Sequence, residues 1–206
     1  MNTLHTQAAV PAGSSILQAQ HGFSLITTLI LLVVVTVLGI GASQMVLLAE
    51  RSTRFDRDSQ IAFQAAEAAL IDAEFDIRGP NSYTYQRMNT FSQDSSLGFL
   101  DNCGASGAQR GLCTPSAGSK PVWSLIDFTD KSASAPSAEF GEFTGRTLSI
   151  GTTGIRPEML PRYIIEIIPD KTTGTTAGKT LFRVTAMGFG PRKSTQAVVQ
   201  MIFRKE

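Results

Sequence analysis

An uninterrupted apolar run opens the readable part of the chain. Residues 25 to 42 are Leu, Ile, Thr, Val, Gly and Ala only, and the uncharged stretch extends from Gly22 to Ala49. About 20 helical residues cross a bilayer core, so this run predicts a transmembrane helix, with a fully buried soluble helix as the alternative. A cleaved secretion signal fits poorly. Such signals have an apolar region of only about 7 to 15 residues and then a small-residue cleavage site. Here Gln44-Met45-Val46-Leu47-Leu48 carries the run onward.

Beyond the run the pattern turns amphipathic. There is no proline between Phe23 and Ile77, and a continuous helix of roughly 55 residues would be about 80 Å long. That exceeds the thickness of a bilayer, so the distal half stands clear of lipid. Phe55, Ser59, Ala62, Ala66, Ala69 and Ala73 are spaced by four and three and share one face. Ile61, Ala65, Ala68 and Phe75 form a neighbouring stripe. Asp56, Asp58, Glu67, Asp72, Glu74 and Asp76 read most simply as the solvated face of the same helix. Arg78-Gly79-Pro80-Asn81 ends it, since proline cannot continue a helix.

Residues 81 to 160 are rich in loop signals, with Tyr83-Thr84-Tyr85 and Pro121-Val122-Trp123-Ser124-Leu125-Ile126 as candidate short strands. The C-terminal quarter is clearer. Residues 162 to 168 form a β-branched run closed by Pro169, and Lys171 to Lys179 make a Thr/Gly loop. Residues 181 to 188 alternate, with Phe182, Val184 and Ala186 on one face. Residues 194 to 204 give a last strand, with Val198, Gln200 and Ile202 in alternation. Three consecutive strands with modest loops predict an antiparallel meander. One face of it must be covered, and the distal half of the long helix is the available cover.

Charge adds little. The 18 basic and 17 acidic residues give a net charge of +1, which provides no reason to expect a nucleic-acid partner. The first 49 residues hold no Asp, Glu, Lys or Arg, while Arg51, Arg54 and Arg57 follow the apolar run. By the positive-inside rule those arginines place the C-terminal side in the cytoplasm. Cys103 and Cys113 point the other way. They enclose nine residues rich in Gly and Ala, compatible with a small disulfide loop outside the cytosol or with two unrelated thiols. Composition leaves the topology open.

No constellation for catalysis emerges. The only histidines, His5 and His21, precede the apolar run, and no nucleophile elbow, P-loop, dinucleotide fingerprint or zinc-ligand spacing is present. Gly188 and Gly190 follow a strand but open no helix, and read as a strand-end turn. Asp170, followed by Lys171, is too little for a calcium site. The expectation is a non-enzymatic protein with no cofactor and no metal.

Gly22-Phe23-Ser24-Leu25-Ile26 ahead of a long apolar helix resembles the class III signal of type IV pilins. More specifically the chain is similar to the PilX-type minor pilins. The similarity lies in the block from Gly22 to Leu38, in Gln64-Ala65-Ala66-Glu67-Ala68-Ala69-Leu70, and in Arg183-Val184-Thr185-Ala186-Met187-Gly188-Phe189-Gly190. The resemblance implies an α+β type IV pilin fold, in which the distal half of a long N-terminal transmembrane helix packs on an antiparallel sheet. It implies a leader over 1–22 cut after Gly22 by a prepilin peptidase, with Phe23 as the N-methylated terminus. A transmembrane helix over 23–47, a periplasmic amphipathic helix over 48–78 and a head over 79–206 would follow.

Most pilins carry a glutamate at the fifth mature position, where this chain has Thr27. In the family that carboxylate meets the terminal amine of a neighbouring subunit in an apolar filament core. A threonine offers only a hydroxyl, which can bond back to its own helix. A subunit at the filament tip has no neighbour above it, and PilX-like pilins share the lack of the acid. Two further departures are a leader without Lys or Arg and a span without proline. Gly39 and Gly41 are its only helix-loosening residues, and Gly39 with Ser43 makes a small-xxx-small face suited to helix packing in lipid.

The implied function is priming assembly of, and capping, a type IV pilus from the inner membrane, with the head in the periplasm and the assembled subunit at the pilus tip. The implied partners are other minor pilins, the major pilin, the prepilin peptidase, the inner-membrane assembly platform and the lipid bilayer. A minor pseudopilin of a type II secretion filament, or a tip-exposed adhesin using residues 81–160, are the competing readings.

Overall fold

The computed structural model describes residues 23–79, 87, 90–91, 96–151, 154–169 and 180–205. The expected leader, Tyr83-Thr84-Tyr85, Asp170 and the Thr/Gly loop lie outside them. Two compact units are present, Met1–Glu50 and Arg51–Glu206. The helix α1, Phe23–Arg78, contributes to both. It ends where the sequence says it should. Gly79 takes a left-handed φ of 58° and donates its N–H to Phe75 O at 3.0 Å, the αL cap that glycine adopts without steric cost.

In the second unit the meander is formed by β3 (Arg162–Pro169), β4 (Thr180–Phe189) and β5 (Gln196–Phe203), all antiparallel. Two short strands hidden in the loop-rich middle complete a five-stranded sheet. These are β1 (Leu112–Cys113), which pairs parallel to β3, and β2 (Ala138–Glu139), which pairs antiparallel to it. The sheet is therefore mixed rather than purely antiparallel. At two residues each, β1 and β2 carry no alternation to detect. Val122–Leu125, expected as a strand, is a 3-10 turn, set up by Pro121 with Ser124 Oγ donating to Pro121 O at 2.8 Å.

Alternation along the strands gives the sheet two apolar faces. Tyr163, Ile165, Ile167, Phe182, Val184 and Ala186 face α1 and form one core with Ala69, Ala73 and Ile77. Ala62 and Ala66 are also fully buried. A stripe of methyl groups buries little area per residue, and the bulk comes from elsewhere. Phe91 packs edge-on against Phe182, with centroids 5.6 Å apart, and Phe99 stacks on Phe182 at 6.1 Å. Ile164 and Phe189 point to the other face. There they meet Cys103, Cys113, Val122, Phe128 and Met159 in a second core. Phe55 and Phe75, expected on the buried stripes, are exposed.

Candidate assembly surface

In the first unit, the side chains from Ser24 to Glu50 are exposed except for the half-buried Thr27. Its large apolar residues are between 48% (Val34) and 74% (Met45) exposed. Burying such a side chain is worth about 1.5–3 kcal/mol, so a surface of this kind is made for an apolar surrounding. Among the described residues this is the one helix long and apolar enough to cross a membrane. Four of its hydroxyls already have partners. Thr27, Thr28, Thr36 and Ser43 each donate a hydroxyl to the carbonyl three residues back, at 2.8–2.9 Å. Neither lipid nor a neighbouring helix then has to supply a hydrogen bond to them.

The predicted assembly residues fall as follows. Phe23 is the first helical residue, and Gly22 lies outside the described residues. The Thr27 hydroxyl is bonded to Ser24 O. A methyl placed on Gly39 would meet nothing within 4 Å, and Ser43, one turn later, is bonded to Ile40 O. The small face formed by Gly39 and Ser43 is open. Cys103 and Cys113 are joined in a disulfide. That bond ties the loop before β1 to β1 itself, whose backbone pairs with β3.

The second unit holds the largest departure from the sequence reading. Asp58, Asp72 and Asp76, expected on a solvated face, are buried. Asp58 receives Arg192 at 3.2 Å, which fastens α1 to the turn between β4 and β5. Asp72 accepts the Gly141 N–H at 2.8 Å and the Thr144 hydroxyl. Asp76 faces Arg87 at 3.1 Å, both side chains being fully buried, and accepts the Tyr163 hydroxyl at 3.1 Å. Arg87 in turn lies over the Phe143 ring at 3.6 Å and donates to Arg110 O at 2.9 Å.

Burial dominates the electrostatics of these groups. Loss of hydration raises the Asp72 carboxyl against the lowering effects of Gly141, Thr144 and Arg146. It pushes Asp76 up to about 6 although Arg87 opposes it. Burial also holds the Tyr163 phenol well above its ordinary value. The chemistry is that of a clamp. Asp72 and Asp76, one turn apart on α1, hold the segment after β2 and the Arg87 side chain against the helix.

Other pairs pin the middle segment to the sheet. Arg162 reaches Glu139 at 2.8 Å and donates to the Ser137 hydroxyl at 2.8 Å. Within the sheet, Arg183 of β4 forms a bidentate pair with the buried Glu166 of β3, at 3.0 and 2.9 Å. Among the described residues there is no group of three or more His, Cys, Asp or Glu side chains able to hold a metal ion.

The missed clamp residues left a trace in the sequence. Asp58, Asp72 and Asp76 fall beside the alanine stripe rather than opposite it, and a strict helical projection places them at its margin.

Neither a curated protein nor a solved structure matches the chain. Family models do. One described as PilX N-terminal matches residues 21–70, which covers most of α1. A second, described as type IV pilus assembly protein PilX C-term, matches residues 109–205, from β1 through the end of the meander. An exposed apolar helix and a clamped α+β head thus coincide with the two parts of one family. The chain belongs to the PilX family, whose members are minor pilins that act in type IV pilus assembly through subunit contacts.

Proposed function

We propose that this chain primes and caps the pilus. In this reading residues 1–22 are a leader removed after Gly22, Phe23 becomes the N-methylated terminus, and residues 23–47 anchor the subunit in the inner membrane. Residues 48–78 and the head over 79–206 stand in the periplasm. The apolar helix docks sideways on other minor pilins and the major pilin, first in lipid and then in the filament. The prepilin peptidase and the inner-membrane assembly platform act on the subunit before and during that transfer.

The observation that supports a tip position is Thr27. Its hydroxyl is bonded to Ser24 O, at the place where other pilins carry a carboxylate. An unpaired charge in an apolar core costs several kcal/mol, so a subunit whose neighbour above would bring an amine needs that acid. A capping subunit has no such neighbour.

Mass analysis of the mature protein extracted from membranes tests the processing on which the proposal stands. The chain should begin at Phe23 with one added methyl group. Residues 1–22 still attached to the assembled subunit would contradict it.

A further inference from the structure

The two edges of the sheet are treated differently. On the outer side of β3, β1 and β2 pair with Arg162, Tyr163, Ile165 and Glu166, and β4 is internal, but among the described residues nothing pairs with the outer side of β5. An open edge is a row of unpaired N–H and C=O groups, which proteins ordinarily blunt with charges, proline, bulges or short length. β5 uses none of these. It runs eight residues in unbroken register with β4, and Gln196-Ala197-Val198-Val199-Gln200-Met201-Ile202-Phe203 contains no charge and no proline.

The register says which groups are free. Gly190 N donates to Thr195 O, so in the pairing that follows Ala197, Val199, Met201 and Phe203 turn their backbone groups toward β4. Gln196, Val198, Gln200 and Ile202 turn theirs outward. Beside this edge lies an apolar ledge. Val199, Met201 and Phe203 are only partly buried, and they and Leu70 of α1 pack against the same core. The Arg78 guanidinium lies 5.0 Å above the Phe203 ring, which places this side of α1 along β5. Phe63, seven residues before Leu70 and so on the same helix side, is 47% exposed.

We infer that β5 is a docking strand, and that its occupant is an extended segment of a different pilin subunit, added edge-on to the sheet. Only an extended backbone satisfies a row of outward N–H and C=O groups at this spacing. Every second side chain of that segment would lie over Val199, Met201, Leu70 and Phe63 and is therefore apolar. A second copy of this chain is the poorer occupant. Two β5 edges pair antiparallel about a two-fold axis, which reverses the Arg51–Arg78 part of α1 between the copies, whereas subunits of one filament share a polarity. The inference rests on the assembly role proposed above and adds to it a head-to-head contact.

The test uses the full-length protein in detergent, with the other pilin subunits of its filament added one at a time. Hydrogen exchange at the Val198, Gln200 and Ile202 amides should slow at least about tenfold with one of them. Val198→Pro is the blocking variant. It removes an outward N–H, leaves the ladder to β4 intact and puts a ring where the incoming strand would lie. It should keep the thermal midpoint of the protein and weaken that complex at least about tenfold, by the loss of strand pairing. A subunit that binds while leaving these amides unprotected, and binds Val198→Pro equally well, overturns the docking strand and leaves the assembly role standing. If no subunit binds the full-length protein at all, both fall.

Discussion

Gly188 of β4 lies directly against the backbone of Ala66 in α1. A methyl group built on Gly188 would stand 2.9 Å from Ala66 Cα, and closer still to Ala66 N and Ala62 O. Neither backbone can yield without moving the helix or the strand. Gly188→Ala is therefore expected to destabilise the head by about 1–3 kcal/mol, the cost of overpacking a close contact. Thermal unfolding followed by near-UV circular dichroism should show a midpoint lowered by roughly 2–12 °C. Gly118→Ala, whose added methyl would have only Ser116 Oγ at 3.5 Å, should leave the midpoint in place. Equal midpoints for the two variants would mean that α1 does not sit this close to β4.

The buried Asp76 makes stability depend on pH in an unusual direction. Burial raises its carboxyl from 3.8 to about 6. Between those values the folded protein binds a proton that the unfolded chain does not. The stability it contributes is present below about pH 4 and is lost as pH rises through about 6, a swing of order 3 kcal/mol. Asp72 is raised too and acts in the same direction. Urea midpoints from pH 4 to 7 should show the native protein losing stability relative to Asp76→Asn across this window. Parallel curves would remove Asp76 as the titrating group.

The disulfide closes a loop ten residues apart in sequence and holds the segment ahead of β1 to the sheet. Such a cross-link is worth about 2–3 kcal/mol by loop-closure entropy. Replacing Cys103 and Cys113 together by Ala should lower the stability of the head by that amount relative to the oxidised native protein and abolish its sensitivity to reductant. The β3–β5 meander, which neither cysteine belongs to, should keep its far-UV signal below the new midpoint.

How far the sequence reaches depends on the length scale of the signal. The apolar run and the Ala62, Ala66, Ala69 and Ala73 stripe extend over many turns, and α1 follows them with its stop at Gly79. The three meander strands are long enough to alternate. β1 and β2 are not, and both owe their existence to pairing with β3. Gly188, expected in a strand-end turn, lies inside β4, because its need for glycine comes from α1 and not from its own strand. Asp56 and Glu67 are exposed as the sequence implies, but the burial of Asp58, Asp72 and Asp76 escapes it for a related reason. Nothing local reveals that Arg87, Gly141 and Thr144 return to Asp76 and Asp72 from a distance. At the assembly surface the bond between Thr27 and Ser24 follows from helical spacing alone.

Restoring the acid at position 27 probes the tip argument. Thr27→Glu puts a carboxylate where a neighbouring terminal amine would pair with it. The variant subunit should acquire the capacity to accept a neighbour above it and appear within the filament shaft in addition to the end. Counting labelled subunits per filament checks this. Unchanged assembly together with unchanged position would remove the physical basis for linking Thr27 to the tip.

A capping role places this subunit at one end of a fibre, held there through its apolar helix. Gold labelling of an epitope on the exposed head, viewed on filaments sheared from cells that make the native chain, tests it most directly. Label is expected at a single filament end. Label spread along the shaft would contradict it.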